Sequence, residues 1–287
     1  MSGLILAVGA AGKFAGHVVP ALVARGATVR GLVHEAKALT SIREEGAVEV
    51  VVGDLREPRS IVAALEGVKS VFYVAPAFLP DEARAGVDFV AAAVSAGVRR
   101  FVFSSVIHPV LSALPNHAAK APVEEAILNS GLEYTLLHPA LFFQNYARAW
   151  RGIARKGLLA EPWSAETRFS RVDYRDVAET AAIALTEDRL LYGTFELCAE
   201  GWLNRHDVAA LASDVLGRRI RVERTDPDTL GDGAAPMRPM FGHYDHIGLR
   251  GNALTLRAIL GCEPRTLRAF FDELNETPDA TAPGEQG

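Results

Sequence analysis

Leu4-Ile5-Leu6-Ala7-Val8-Gly9-Ala10-Ala11-Gly12-Lys13-Phe14-Ala15-Gly16 is an apolar run broken at once by closely spaced glycines. His17-Val18-Val19-Pro20-Ala21-Leu22-Val23-Ala24-Arg25 follows with apolar residues at helical spacing. The order reads as a buried strand, a tight turn and a helix, the first half of a βαβ unit. Glycines let the backbone of such a turn come close to a ligand, and the helix end favours negative charge, so a diphosphate suits the gap. The spacing Gly9-x-x-Gly12-x-x-Ala15-Gly16 departs from the G-x-G-x-x-G of the dehydrogenase fingerprint, and a turn without a ligand is the plain alternative. Pro20 is out of keeping with an unbroken helix.

Working outward, apolar runs recur at 27–33, 48–52, 70–74, 101–104 and 133–137, separated by helical patterns near 38–45, 60–65, 81–96 and 117–129. Continuous apolar strands alternating with helices predict a parallel sheet covered on both faces, hence a doubly wound α/β fold. Ligands of such sheets bind beyond the carboxyl ends of the strands. Past residue 138 the rhythm changes. Helices are expected at 142–156, 173–186, 204–216 (capped by Asn204), 252–260 and 265–275, with short strands at 157–161, 194–197 and 219–224. The Pro/Gly/Asp-rich stretch 226–239 reads as a mobile loop or lid. The predicted division is a binding domain over 1–150, a smaller mixed α/β C-terminal lobe over 151–276 that partly returns to the first core, and a disordered tail over 277–287.

With 287 residues, 49% hydrophobic and 23% charged, the chain can bury a large core. A net charge of −5 without a basic run argues against nucleic acid and anionic membranes as partners. No apolar run is long enough to span a bilayer, and a signal peptide has no room before the first strand, so a cytoplasmic protein is expected. Cys198 and Cys262 are isolated, lack metal-ligand spacing and read as reduced, mostly buried residues; no metal is expected.

Several further segments complete a pattern: Val29-Arg30-Gly31-Leu32-Val33-His34, Gly53-Asp54-Leu55, Phe101-Val102-Phe103-Ser104-Ser105-Val106 and Lys120 with Val123-Glu124. Tyr134-Thr135-Leu136-Leu137-His138-Pro139-Ala140-Leu141-Phe142-Phe143-Gln144-Asn145, Val172-Asp173-Tyr174-Arg175-Asp176-Val177-Ala178 and Leu260-Gly261-Cys262-Glu263-Pro264-Arg265-Thr266 extend it. With the glycine turn, these make the chain resemble the NmrA-like branch of the atypical short-chain dehydrogenase/reductases along nearly its whole length. The resemblance implies a Rossmann domain binding a nicotinamide cofactor. It implies that Gly9, Ala11, Gly12, Lys13, Phe14 and Ala15 hold the diphosphate, and that Asp54 and Leu55 flank the adenine. Ala75 and Pro76 would lie along the adenosine, Ser104 and Ser105 at the nicotinamide ribose, and Pro139 and Ala140 at the carboxamide. The plain alternatives are a turn cap for Asp54 and strand-end satisfaction for the serines.

The end of the second strand chooses between the two dinucleotides, since a 2′-phosphate calls for a basic side chain and a free ribose for an acidic one. His34 stands where many family members have arginine, with Glu35 beside it and Lys37 beyond. With Lys13 in the turn, NADP(H) is favoured over NAD(H), and an inward-turning Glu35 would reverse the choice.

The usual short-chain pair, a Tyr four residues before a Lys, is broken here: Lys120 is preceded at that spacing by Asn116. Lys120 remains a candidate for polarising a carbonyl, with His108 and His117 as candidate proton donors; a solvated lysine and surface histidines are the alternatives. Phe142, Phe143, Trp163, Phe241 and Tyr244 are candidates for an apolar substrate pocket, or else core. The expected function is an NAD(P)H-dependent reductase of a hydrophobic, aromatic or conjugated small molecule. The rival is a non-catalytic NAD(P)-binding redox sensor acting on a partner protein, and epimerase or dehydratase chemistry ranks last. The sequence carries no reading of oligomeric state.

Overall fold

The computed structural model describes residues 3–76, 78–79 and 81–276. The chain runs β1 (Ile5–Val8), α1 (Val18–Ala24), β2 (Val29–Val33), α2 (Leu39–Glu44), β3 (Glu49–Val52), α3 (Pro58–Leu65), β4 (Ser70–Tyr73), α4 (Glu82–Ser95) and β5 (Arg100–Ser104). Next come α5 (Pro115–Ala118), α6 (Ala121–Leu128), β6 (Glu133–Pro139), β7 (Leu141–Phe142), α7 (Asn145–Lys156), β8 (Leu158–Glu161) and β9 (Arg171–Val172). It ends with α8 (Tyr174–Thr186), β10 (Gly193–Leu197), α9 (Arg205–Leu216), β11 (Arg221–Arg224), α10 (Arg238–Tyr244), α11 (Leu254–Leu260) and α12 (Leu267–Glu276).

Two compact units form. The first holds 1–139 and 175–196, the second 140–174 and 197–287. The expected boundary at 150 falls inside α7, in the second unit.

The first unit carries the expected doubly wound sheet, in the order β10-β6-β5-β4-β1-β2-β3. From β6 through β3 every neighbouring pair is parallel. All four residues of β1 are buried, as a strand covered on both faces requires. Tyr73, Phe89, Phe101 and Phe103 pack below the sheet with ring centroids 4.8–6.2 Å apart. Tyr73 is fully buried, and burial, with Glu82 adding to it, pushes its phenol above the ordinary range. Among the described residues its hydroxyl has no hydrogen-bond partner. Gly86 of α4 sits where a Cβ would lie only 2.4 Å from Val123 of α6, so its lack of a side chain brings these two helices together.

Arg100, a buried residue of β5, fastens the returning segment. Its guanidinium donates to Ala184 O at 3.2 Å and Glu187 O at 2.9 Å, and pairs with Asp188 at 2.5 Å and Glu133 at 3.2 Å. A cation on the last carbonyls of α8 also suits the negative end of its dipole.

In the second unit, β11 pairs with β8 and β7 with β9, both parallel. Phe143, Tyr146, Trp150, Phe270 and Phe271 form its core with α9 residues Val208 and Ala212. Asn204 caps α9 as expected, in a reciprocal box with Asp207.

Several expectations need correction. The helix drawn through 117–129 is two helices with Lys120 at the joint, because Pro122 has no N–H to give Ala118 and its ring clashes with that carbonyl. The helix expected from residue 60 starts earlier: Glu57 holds the N-cap position without a side-chain cap bond, Pro58 opens α3, and Ser60 is its third residue. The helix drawn from 142 starts at Asn145, since Leu141 and Phe142 pair with Arg171 and Val172. The 226–239 stretch is not a simple loop. It holds 3-10 turns at Pro227–Leu230 and Asp232–Met237 that lead into α10, the first capped by the Asp226 side chain on the Asp228 N–H. Cys198 is buried, but Cys262 is exposed. Pro20 lies in the first turn of α1, where its missing N–H costs little. The 277–287 tail lies outside the described residues. No helix among the described residues is long and apolar enough to cross a membrane.

Candidate functional site

The turn after β1 occupies the point where the strand order reverses, since β1 lies between β2 and β4. Gly9 takes φ +72°, a left-handed conformation that disfavours any Cβ. Gly12 N–H closes the turn on Gly9 O at 2.7 Å, and a Cβ at Gly12 would lie 3.0 Å from that same oxygen. Ala10 N–H ties the turn to Leu32 O of β2, and Gly16 N–H bonds Gly12 O. Ala11, Gly12 and Lys13 are exposed while Ala15 is buried. Lys13 Nζ lies 5.2 Å from the Phe14 ring centre. The turn is therefore built tight on glycine and open on its outer side, which fits a diphosphate.

Around it the other strand ends contribute in turn. His34 is exposed at the end of β2. Glu35 pairs with Lys37 at 2.7 Å, and that hydrogen bond holds its carboxyl below the ordinary value. Glu35 faces the lysine, and Lys37 spends its charge on Glu35. After β3, Asp54 accepts from Arg56 N at 2.9 Å, Nε at 3.1 Å and Nη2 at 2.7 Å. Those bonds hold its carboxyl at about 2. The carboxylate keeps room for one more donor on Oδ2. Ser60 Oγ accepts from Asp54 N–H at 3.1 Å and fixes this turn, with Leu55 beside it. After β4, Ala75 is buried and Pro76 exposed. Phe78 and Asp81, in the segment leading to α4, both have φ +58°, unusual for residues with side chains.

Ser104 ends β5 and Ser105 follows it, both buried. Ser105 Oγ donates to Glu124 Oε1, and His138 Nε2 lies 2.8 Å from the same oxygen. A carboxylate only accepts, so the His138 proton facing it is on Nε2. Ser105 was expected at the nicotinamide ribose, but its link to Glu124 and His138 was not read from sequence. Its only sequence signal is that β5 and β6 are neighbours whose ends must meet. Ile107 N–H bonds Pro139 O at 3.0 Å, and Ala140 is buried.

The three catalytic candidates have different surroundings. Lys120 is 5% exposed and donates to Glu82, itself 5% exposed. It is neither a solvated lysine nor an ammonium free to face a substrate, because a buried carboxylate already takes its charge. His117 is buried with Nδ1 3.0 Å from His108 O, which gives it a structural bond. His108 is the more exposed histidine, at φ +53°, with Nε2 3.5 Å from Glu196 Oε2.

In the second unit, the five aromatic candidates divide. Phe143 is core, 5.9 Å from the Phe270 ring, which corrects its assignment to a pocket. Phe241 and Tyr244 are buried against Trp163, with ring centres 6.0 and 5.5 Å from it, so they back that ring. Phe142 and Trp163 do line a cavity of about 140 Å³, together with Tyr146, Glu161 and Arg171.

A model of the family described as NmrA-like matches residues 1–247. The chain is 32% identical over 223 residues, 76% of either chain, to an NAD(P)H azoreductase of Xenophilus azovorans. An NADPH-dependent quinone oxidoreductase of Escherichia coli, solved with NADPH, superposes with a TM-score of 0.84 over 94% of this chain and 99% of that one, at 20% identity. NmrA, a negative transcriptional regulator solved with NADP, superposes with a TM-score of 0.79 over 99% and 98% of the two chains, at 18% identity. At those identities the two structural likenesses speak to the fold.

Proposed function

The chain belongs to the NmrA-like family, and on that premise we propose that it is an NAD(P)H-dependent reductase of an aromatic or conjugated small molecule. The observation that carries this reading is the 32% identity to an NAD(P)H azoreductase across three quarters of both chains. The open glycine turn at the strand-order reversal supports it.

When bound, the reduced nicotinamide supplies a hydride from C4. The protein's own groups bind and orient. Backbone from Gly9 to Ala15, with Lys13, takes the diphosphate; Asp54 accepts from the adenine amine beside Leu55; Ala75 and Pro76 lie along the adenosine. Ser105 has committed its proton to Glu124, so its remaining lone pairs are acceptors suited to a ribose hydroxyl. His138 holds Glu124 in that role, Ser104 lies beside Ser105, and Pro139 with Ala140 meets the carboxamide. His108 is the proton donor in this scheme: it is the most exposed of the three candidates, and its Nε2 lies 3.5 Å from Glu196 Oε2. Lys120 and His117 support the segment between β5 and α6.

NADP(H) is the proposed cofactor. Glu35 is engaged by Lys37, which leaves His34 as the side chain to meet a 2′-phosphate. His34→Arg is therefore expected to tighten NADPH roughly tenfold through a charge-assisted bond and leave NADH nearly unchanged. Fluorescence titration of both dinucleotides checks this, and an equal gain for both would remove His34 from the 2′-position.

The missing Tyr and the engaged Lys120 favour the second reading, a dinucleotide sensor acting on a partner protein. Single-turnover NADPH oxidation with azo dyes, quinones and enones decides between the two. Turnover with any of these acceptors supports the reductase. Silence across the set, with tight cofactor binding intact, favours the sensor.

A further inference from the structure

Among the described residues of the second unit two arginines are buried, and only one has a counterion there. Arg205, 2% exposed, pairs with Glu161 at 3.1 Å and donates to Glu223 O at 2.9 Å and Trp163 O at 2.5 Å. Arg171, 4% exposed on β9, donates through Nη1 to Leu203 O at 2.8 Å and Phe169 O at 3.3 Å. Its guanidinium carbon lies 5.8 Å from the Tyr146 ring centre and 5.7 Å from that of Phe169. Among the described residues no carboxylate forms an ion pair with it. Carbonyl dipoles and ring faces offset part of the cost of burying a cation, while an opposite charge would offset far more.

Arg171 and Glu161 both line the cavity of about 140 Å³. Because Arg205 neutralises Glu161, the wall keeps one positive charge without a carboxylate partner among the described residues. The rest of the wall is largely apolar, including Leu141, Phe142, Leu159 and Trp163. A cavity of roughly 150 Å³ with apolar walls holds one benzene ring. Burial pushes the Tyr146 phenol up to about 12, so it stays a neutral hydroxyl at this wall.

We propose that this cavity is a binding site for one aromatic ring carrying an oxyanion, a carboxylate or a sulfonate, with Arg171 as its counterion. The planar guanidinium matches both groups, and the ring takes the apolar walls. As a statement about the substrate, this rests on the reductase reading. As a statement about binding, it does not, and the two are tested separately.

The test is calorimetric titration of the full chain with benzoate, benzenesulfonate and neutral benzamide. Both anions are expected to bind at least tenfold more tightly than benzamide, and added salt should narrow the gap. Arg171→Met should bring the anions down to the level of benzamide. Ala149→Phe, on the exposed side of α7 at the cavity, should block all three ligands while leaving Arg171 in place, which keeps the site testable if the first variant fails to fold. Benzamide binding as well as benzoate, no binding by wild type, or full benzoate affinity in a folded Arg171→Met protein would each overturn the site. Anion binding without turnover of any acceptor keeps the site and removes the reductase reading. Turnover of neutral acceptors without anion binding does the reverse.

Discussion

Lys120→Met is expected to lower stability by about 3–5 kcal/mol, because it strands a buried carboxylate without its partner. Glu82 and Lys120 are each 5% exposed, and the acid opens α4 while the lysine sits at the joint between α5 and α6. The pair thus links two helices that Gly86 already lets approach closely. Removing both charges should behave differently from removing one. Lys120→Met with Glu82→Met replaces the pair by apolar side chains of similar length, and such replacements are commonly neutral or stabilising by about 1–4 kcal/mol. Urea denaturation of wild type, both single variants and the double variant gives the cycle. If Lys120→Met is as stable as wild type, the ammonium is not needed by Glu82 and returns as a candidate for chemistry. If the double variant is the least stable of the four, the two residues do not act as a pair.

Gly12→Val is expected to weaken NADPH binding on the order of a hundredfold, equivalent to about 2.7 kcal/mol. A Cβ there already stands 3.0 Å from Gly9 O, so the turn must open, and the branched methyls project on its exposed side. Both effects push away a diphosphate that needs close backbone approach. Lys13→Gln, which removes charge and keeps the backbone, should cost only a few-fold. Titration of cofactor fluorescence, beside circular dichroism to establish that each variant is folded, measures both. A folded Gly12→Val protein that binds NADPH like wild type would place the diphosphate elsewhere.

The strand–turn–helix at residues 4–25 and the alternation after it were legible because parallel strands buried on both faces leave continuous apolar runs, a signal local to each segment. Asn204 was legible for a similar reason, since a capping residue and its partner lie three positions apart. Pro122 also marked the break before α6, yet the apolar spacing on either side hid it. What stayed unread depends on distance along the chain. Glu82 and Lys120 are 38 residues apart, and Ser105, Glu124 and His138 come from three elements. No spacing rule joins such residues; only the strand order does. Phe143 and Phe142 are adjacent and chemically identical, and one is core while the other lines a cavity. Phe142 is the second residue of the two-residue strand β7, while Phe143 lies just past its end.

The route of the chain sets terms for anyone who would transplant its parts. The first unit is not a prefix of the sequence, because residues 175–196 belong to it and supply all of α8 but its first residue, together with all of the edge strand β10 but its last. A protein cut after residue 150 would lose that strand and uncover β6, whose Leu136 and Leu137 are buried. An uncovered apolar edge invites pairing with other molecules. Arg100 would also lose Asp188 and the carbonyls of Ala184 and Glu187. A chimera that exchanges the second unit between relatives must therefore splice twice, replacing 140–174 and everything from 197 onward. The 22 residues between those splices must stay with the sheet they complete.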